Sequence, residues 1–172
     1  MSAMVEPEPG LVPRPSANDL EQLFRAHYDR LVRSLTLACG DGEHAADAVQ
    51  EAFVRAHVRW RKVRRYDDPV GWVRRVAINL LRDQHRRAKR KDRAIARLAA
   101  TPAPPIGVPQ HDELDSLLDS LTPQQRTAVA LYYVEDLSVA EIAAAMGLSE
   151  GSVKSHLHDA RRRLRGIIGE ES

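Results

Sequence analysis

Residues 100–111 read ATPAPPIGVPQH, and no regular element can run through them. Pro102, Pro104, Pro105 and Pro109 each lack the N–H that a helix or an inner strand needs, and they favour extended backbone. A chain of 172 residues interrupted in this way is expected to fold as two small units, each with its own apolar faces, joined by a linker. Its 43% hydrophobic and 29% charged residues suit two such units. Neither side shows strand-like alternation, so the expected fold is all-α, with two small helical domains and a Pro-rich extended connection.

The helical signals place the boundaries. Residues 1–17, rich in Pro and Glu, are expected to be disordered. From Asp19 an apolar stripe runs through Leu20, Leu23, Phe24, His27, Leu31, Leu35 and Ala38 and stops at Gly40-Asp41-Gly42. A second helix starts near Glu43, with Ala46, Val49, Phe53 and Ala56 inward and Asp47, Gln50 and Glu51 outward. Asp67-Asp68-Pro69 marks a loop and a new helix start, and the helix continues through Val70, Val73, Val76, Ala77, Leu80 and Leu81 into QHRRAKRKDR. Beyond the linker, helix resumes over 112–121, and Thr122-Pro123 opens another. The expected divisions are a tail over 1–17, a first domain over 18–94, a linker over 95–111 and a second domain over 112–168.

The second domain ends in SVAEIAAAMGLSEGSVKSHLHDARRRLR. Val139, Ile142, Ala143 and Met146 fall at helical intervals, as do Val153, Leu157, Ala160 and Leu164. Gly147 sits where a positive φ would end the first helix, and Ser149 can cap the second, with Glu150 at its positive end. This is a helix-turn-helix layout. Lys154, Ser155, His158, Arg161, Arg162 and Arg165 face outward, mostly donors and cations suited to a phosphate-lined groove. An ordinary helical hairpin with a solvated basic face is the alternative.

Charge is strongly segregated beneath the overall +2. Residues 55–97 carry 16 Lys or Arg against 4 Asp or Glu, whereas residues 1–54 carry 4 against 9 and residues 98–172 carry 6 against 11. The middle third is therefore a candidate polyanion-binding surface between acidic segments. The cluster Arg86, Arg87, Lys89, Arg90 and Lys91 offers backbone affinity without sequence information. Asn79 and Asp83, one turn apart beside Arg75, Arg82 and Arg86, mix donors and acceptors that can read base edges, with a solvated face of local ion pairs as the alternative.

Several function classes lack their signature. There is no phosphate-cradling glycine loop, no metal-ligand spacing among the seven histidines and no Ser, His and Asp order that suggests a triad, so no enzyme, cofactor, metal or small-molecule substrate is expected. The single cysteine, Cys39, is expected to be a buried structural thiol. No leader pattern and no apolar run of membrane-spanning length occur in the sequence, which points to a cytoplasmic protein without membrane insertion.

Two basic modules, an acidic helix and an extended linker in this order resemble the extracytoplasmic function class of bacterial RNA polymerase sigma factors, over about Asp19 to Arg165. HAADAVQEAFVRAHVRW is similar to the family's core-binding segment, and DDPVGWVRRVAINLLRDQHRR to its segment for the minus-ten promoter element. LDSLTPQQRTAVALYYVEDLSVAEIAAAMGLSEGSVKSHLHDARRRLR is similar to the domain that reads the minus-thirty-five element. The resemblance implies that Asp47, Gln50, Glu51 and Val54 meet the coiled-coil clamp of the polymerase's largest subunit. It implies minus-ten contacts from Tyr66, Trp72, Arg75, Asn79, Asp83, Arg86 and Arg87, and minus-thirty-five contacts from Ser152, Lys154, Ser155, His158, Arg161 and Arg162. Core polymerase and promoter DNA are the implied partners, and an anti-sigma protein is a candidate third.

For Phe53 and Trp72, on apolar stripes, core packing is the alternative role, and for Tyr66 the alternative is anchoring its loop. Asp159 departs from the family, which often carries a basic residue there. It either pairs with Arg162 or Arg163 or weakens the contact to DNA. A stand-alone helix-turn-helix regulator remains the second functional reading, although it leaves the first domain unexplained.

Overall fold

The computed structural model describes residues 17–98 and 117–170, all of whose regular elements are helices. Residues 1–16 of the expected tail, 99–111 of the expected linker and the helix start expected at 112–116 lie outside the described residues, whereas Ala17 already belongs to a helix and 95–98, expected as linker, continue one. Helix α1 spans Ala17–Cys39, α2 Gly42–Val58, α3 Trp60–Val63 and α4 Pro69–Leu98. After a helical turn at 117–119 come α5, Pro123–Tyr133, then α6, Val139–Met146, and α7, Glu150–Glu170.

Local chemistry sets each boundary. Helix α1 closes at Gly40, whose φ of 77° is left-handed and whose N–H donates to the Thr36 carbonyl. The Asp41 carboxylate then accepts from the His44 N–H at 3.0 Å and caps α2. Asp68 does the same for α4, accepting from the Gly71 N–H at 2.8 Å, with Pro69 in the first turn. A Cβ at Gly71 would stand 2.1 Å from Asp68 Oδ2, so only glycine lets that cap close. Reciprocal capping boxes start α5 (Thr122 with Gln125) and α6 (Ser138 with Glu141). Glu141 is held below the usual carboxylate range chiefly by the Ser138 N–H that it accepts.

The apolar stripes pack largely as the periodicity predicts. Helix α2 buries Ala45, Ala48, Val49, Ala52, Phe53 and Ala56, while Ala46 is only partly covered. So many alanines let α1 and α4 approach α2 closely around Leu31, Leu35, Val73, Ala77 and Ile78. Burying one such leucine contributes about 1.5–3 kcal/mol. Phe53 lies in this core, with the rings of Tyr28, partly buried, and Phe24, exposed despite its place on the expected stripe, 6.4 and 5.0 Å away between centroids.

The apolar cluster does not stop at the first helical unit. Leu131, Ile142, Met146, Val153 and Leu157 continue it through α5, α6 and α7, because α5 packs on α1 and α6 packs on α4. The outer part of α4 behaves differently, since residues 83–98 are exposed on every side.

Cys39 differs from expectation. It is exposed at the last position of α1, with its thiol donating to the Asp41 carbonyl at 3.2 Å. Desolvation of the sulfur pushes its pKa up, so it is no thiolate at neutral pH. The helix end, rather than the apolar stripe, decides its position.

Candidate nucleic-acid and polymerase interfaces

Three outward faces carry the expected site residues. On α2, Asp47, Gln50, Glu51 and Val54 share the face opposite the core, and all are exposed. Glu51 accepts from Arg55 Nε at 2.8 Å, a solvent-facing pair that limits the side chain little. Val54 is 52% exposed and Val58, one turn further on, 77%. Val58 was not among the expected residues, although a valine in register with Val54 on a polar face was visible in the sequence. Together they lay an apolar strip beside the carboxylates.

On α4, Arg75, Asn79, Asp83, Arg86 and Arg87 line one exposed side and bond no described residue. Their donors and acceptors are therefore available to a ligand. Trp72 is only partly buried and packs against the core. Tyr66 stands 38% exposed in the loop before α4, its N–H bonded to the Val63 carbonyl. Under the same loop the Trp60 Nε1 and Arg64 Nε atoms are buried without a described partner.

Arg82 does not join this side, contrary to expectation. It turns inward and donates from Nη1 to the Met146 carbonyl at 2.8 Å, at the C-terminus of α6. Desolvation, and secondarily the neighbouring Arg86, lower its pKa below the ordinary arginine value. A position seven residues from Arg75 looks exposed on a helical wheel, but α6 covers it.

The helix-turn-helix is built as its residues require. Gly147, with φ 66° and ψ 38°, ends α6 in the left-handed conformation, and Leu148 N–H returns to the Ala143 carbonyl. Any side chain there would carry the strain of that backbone, about 1 kcal/mol or more. Ser149 Oγ accepts from the Ser152 N–H at 3.1 Å and caps α7, and Ser152 Oγ lies 2.9 Å from Ser149 Oγ. Val153, Leu157 and Ala160 fix the inner face, leaving Lys154, Ser155, His158, Arg162 and Arg165 exposed.

Arg161 and Arg163 are instead held by the protein. Arg161 Nε donates to Tyr133 Oη at 2.9 Å, with the guanidinium 5.1 Å from the Tyr132 ring centroid, and that hydrogen bond raises its pKa further. Arg163 Nη1 donates to the Ser120 carbonyl at 2.7 Å. Asp159 is partly buried on the flank of the exposed face and forms no ion pair with a described residue, so neither Arg162 nor Arg163 neutralises it.

Comparison with known proteins decides what carries these faces. Residues 23–91 match the model of Sigma-70 region 2, and residues 111–164 that of Sigma-70, region 4. The chain is 34% identical over 150 residues to the RNA polymerase sigma-E factor of Streptomyces coelicolor, covering 86% of this chain and 84% of that one. It is 34% identical over 157 residues to the ECF RNA polymerase sigma factor SigM of Mycobacterium tuberculosis, covering 87% of this chain and 76% of that one. The chain belongs to the ECF class of RNA polymerase sigma factors.

Sigma factors of this class direct RNA polymerase to promoters, and the stand-alone regulator reading is not favoured, because it accounts for region 4 but not region 2. A further relative, the ECF sigma factor SigE of Mycolicibacterium smegmatis, is 33% identical over 168 residues, 88% of this chain, which spans 62% of that protein's length. Among solved structures, CnrH in complex with the cytosolic domain of CnrY is 26% identical with a TM-score of 0.62, covering 91% of this chain and 92% of that one. The sigma factor RpoE of Bartonella quintana, solved with the anti-sigma factor NepR, shares the fold at 21% identity and a TM-score of 0.72, covering 89% of this chain and 98% of that one.

Proposed function

We propose that this sigma factor docks on core RNA polymerase through the α2 face, reads and helps open the minus-ten element with the Tyr66 loop and the outer side of α4, and reads the minus-thirty-five element with α7. The observation that carries this reading is that the three faces stay outward and are largely without intramolecular partners, on the segments that match regions 2 and 4. The α2 face, acidic with an apolar strip, suits a basic, partly apolar surface such as the largest-subunit clamp. The α4 side suits strand capture, with cations along the backbone and an aromatic edge for a flipped base. On α7, Lys154, Ser155 and His158 face base edges, and Ser152, Arg162 and Arg165 sit nearer phosphates, while Arg161 is drawn aside by Tyr133.

The protein works by binding and performs no chemistry of its own. Among the described residues no cluster of His, Cys, Asp and Glu has metal-site geometry, and no helix is long and apolar enough to cross a membrane. A cytoplasmic site of action, next to polymerase and DNA, follows from this reading. An anti-sigma protein is a further partner of the same reading, supported by the solved relatives bound to one.

Two variant sets test it. Asp47→Lys with Glu51→Lys should abolish co-purification with core polymerase while the melting temperature stays within about 2 °C, as expected of exposed substitutions. Normal co-purification would move the docking face elsewhere. Tyr66→Ala should reduce transcription from a duplex promoter more than from one whose minus-ten region is mismatched open. Equal and negligible losses on both would return Tyr66 to a loop anchor.

A further inference from the structure

Arg161 lies on the line of the α7 reading face without joining it. It follows Lys154 by seven residues, close to two full turns at about 3.6 residues each, and so shares the side of Lys154, His158 and Arg165. Those three are exposed, whereas Arg161 is partly covered. Its cover is the end of α5. Arg161 Nε donates to Tyr133 Oη at 2.9 Å, and the guanidinium lies 5.1 Å from the Tyr132 ring centroid and 5.8 Å from that of Tyr133. The two rings meet edge to face, with centroids 4.9 Å apart and planes at 72°.

The packing of α5 on α7 has other foundations. Leu131 shares one apolar cluster with Val153 and Leu157, and Val129 shares another with Ala160 and Leu164. Tyr133 is 57% exposed and adds little to either. What it does control is where an arginine on the DNA side of α7 can go.

The guanidinium cannot lie on a phosphate and keep these contacts. To reach DNA, Arg161 must give up a hydrogen bond and two aromatic rings that it already has in the unbound protein. In return it would release about one counterion from the duplex, a gain that shrinks as salt rises. Contacts to a neutral hydroxyl and to rings are screened much less than a contact between two exposed charges. Asp159, partly buried on the flank of the same face and without an ion pair to a described residue, adds repulsion of the same polyanion. Near physiological salt the tyrosines therefore keep the arginine.

We infer that Tyr133 is a positioning residue for minus-thirty-five recognition, which withholds Arg161 from the DNA and leaves α7 to grip phosphates through Arg162 and Arg165. A phosphate contact carries no sequence information. Withholding one lowers the affinity of region 4 for any duplex and leaves the base contacts of Lys154, Ser155 and His158 intact. The inference rests on the reading of α7 as the minus-thirty-five helix.

The test is filter binding of the full chain, across a salt series, to a short duplex carrying the minus-thirty-five element of a promoter that it transcribes. Tyr133→Ala should steepen the slope of log affinity against log salt by about 0.9, one phosphate contact, and tighten binding about three- to sixfold near 0.15 M salt. Tyr133→Phe, which removes only the hydroxyl, should give at least about half of that change in slope. Arg161→Gln in the parent should move the slope by less than about 0.3, and combined with Tyr133→Ala it should restore the parent slope. Melting temperatures should stay within about 2 °C of the parent, as expected at exposed positions. In the DNA-free protein the Arg161 Nε–H should exchange slowly with water and lose that protection in both Tyr133 variants.

Weaker binding with a flatter slope in the Tyr133 variants would overturn the inference, because Tyr133 would then be presenting Arg161 to a phosphate. An unchanged slope in both would overturn it as well. Lys154→Ala is the control for the reading beneath it. If that variant kept the parent slope while the Tyr133 variants still steepened theirs through Arg161, the assigned reading face would fall and the hold on Arg161 would stand.

Discussion

Arg74 and Arg75 are neighbours on α4 and have opposite fates. Arg74 is buried and spends its Nε–H on Glu135, whereas Arg75 is exposed with no described partner, and the same division recurs between Arg82 and Arg86. A helix carrying more arginines than its DNA side can use has turned some of them into internal fasteners. The net charge of a segment therefore overstates the charge it can offer to a polyanion, and burial with pairing decides which cations remain. Helix α7 repeats the pattern, with Arg161 and Arg163 tied to Tyr133 and Ser120 while Lys154 and Arg162 stay outward.

Paired substitutions would break this contrast or sharpen it. The largest effect is expected at the seam between the two helical units, where Arg74→Met should lower stability in denaturant unfolding by about 3–5 kcal/mol, the cost of leaving the Glu135 carboxylate buried without its partner. Arg75→Met should change stability by less than about 0.5 kcal/mol yet reduce promoter-dependent transcription. If the two variants were equally stable, the division between fastening and reading arginines would fail.

A smaller effect distinguishes Arg86 and Arg87 from Arg82. Each outward replacement by Gln should flatten the dependence of DNA affinity on salt by roughly one phosphate contact, and Arg82→Gln should leave that slope unchanged. On α7, Asp159→Arg should steepen the slope by about one contact and Lys154→Ala should flatten it by the same amount. Filter binding of the minus-thirty-five element across a salt series reads both. Weaker binding by Asp159→Arg would mean that Asp159 accepts a hydrogen bond from a base.

The smallest effect belongs to an ion pair outside both classes. His44 Nδ1 lies 2.7 Å from Asp41 Oδ2, exposed at the start of α2. The hydrogen bond with Asp41, then its charge, raises the His44 pKa. The Asp41 pKa is lowered first by the His44 backbone N–H and next by the imidazole. The histidine's contribution is thus present below the ordinary imidazole value and lost as pH rises through the raised one. That of Asp41 is present above the ordinary carboxylate value and lost as pH falls through the depressed one. Asp41→Asn keeps the cap and removes the charge, so an NMR titration should find the His44 midpoint lowered towards its ordinary value. An unmoved midpoint would dissociate His44 from Asp41.

The helices and the helix-turn-helix were legible because their signals are local. Periodic stripes, the caps at Thr122 and Ser138 and the left-handed Gly147 all act within one or two turns. The seam was not legible, because Arg74 and Glu135 are 61 positions apart, and nothing in either neighbourhood names the other. One clue was present, since Arg74 falls on the stripe of Val70, Val73, Ala77, Ile78 and Leu81, and a charge there needs a buried partner. Arg82 and the exposed Cys39 escaped for related reasons, the first covered from another unit and the second released by the helix end.

The central claim is that outward faces on regions 2 and 4 act together, through polymerase, on two separated promoter elements. Run-off transcription from a library of duplex templates randomised between positions minus forty and plus one tests it most directly. With both core polymerase and this protein, transcripts should start at a defined position. The productive templates should share two motifs, near minus ten and minus thirty-five, at a constant spacing, and either component alone should give none. Tight, sequence-specific binding of library members by the protein alone in moderate salt, with no transcript on adding core, would contradict it.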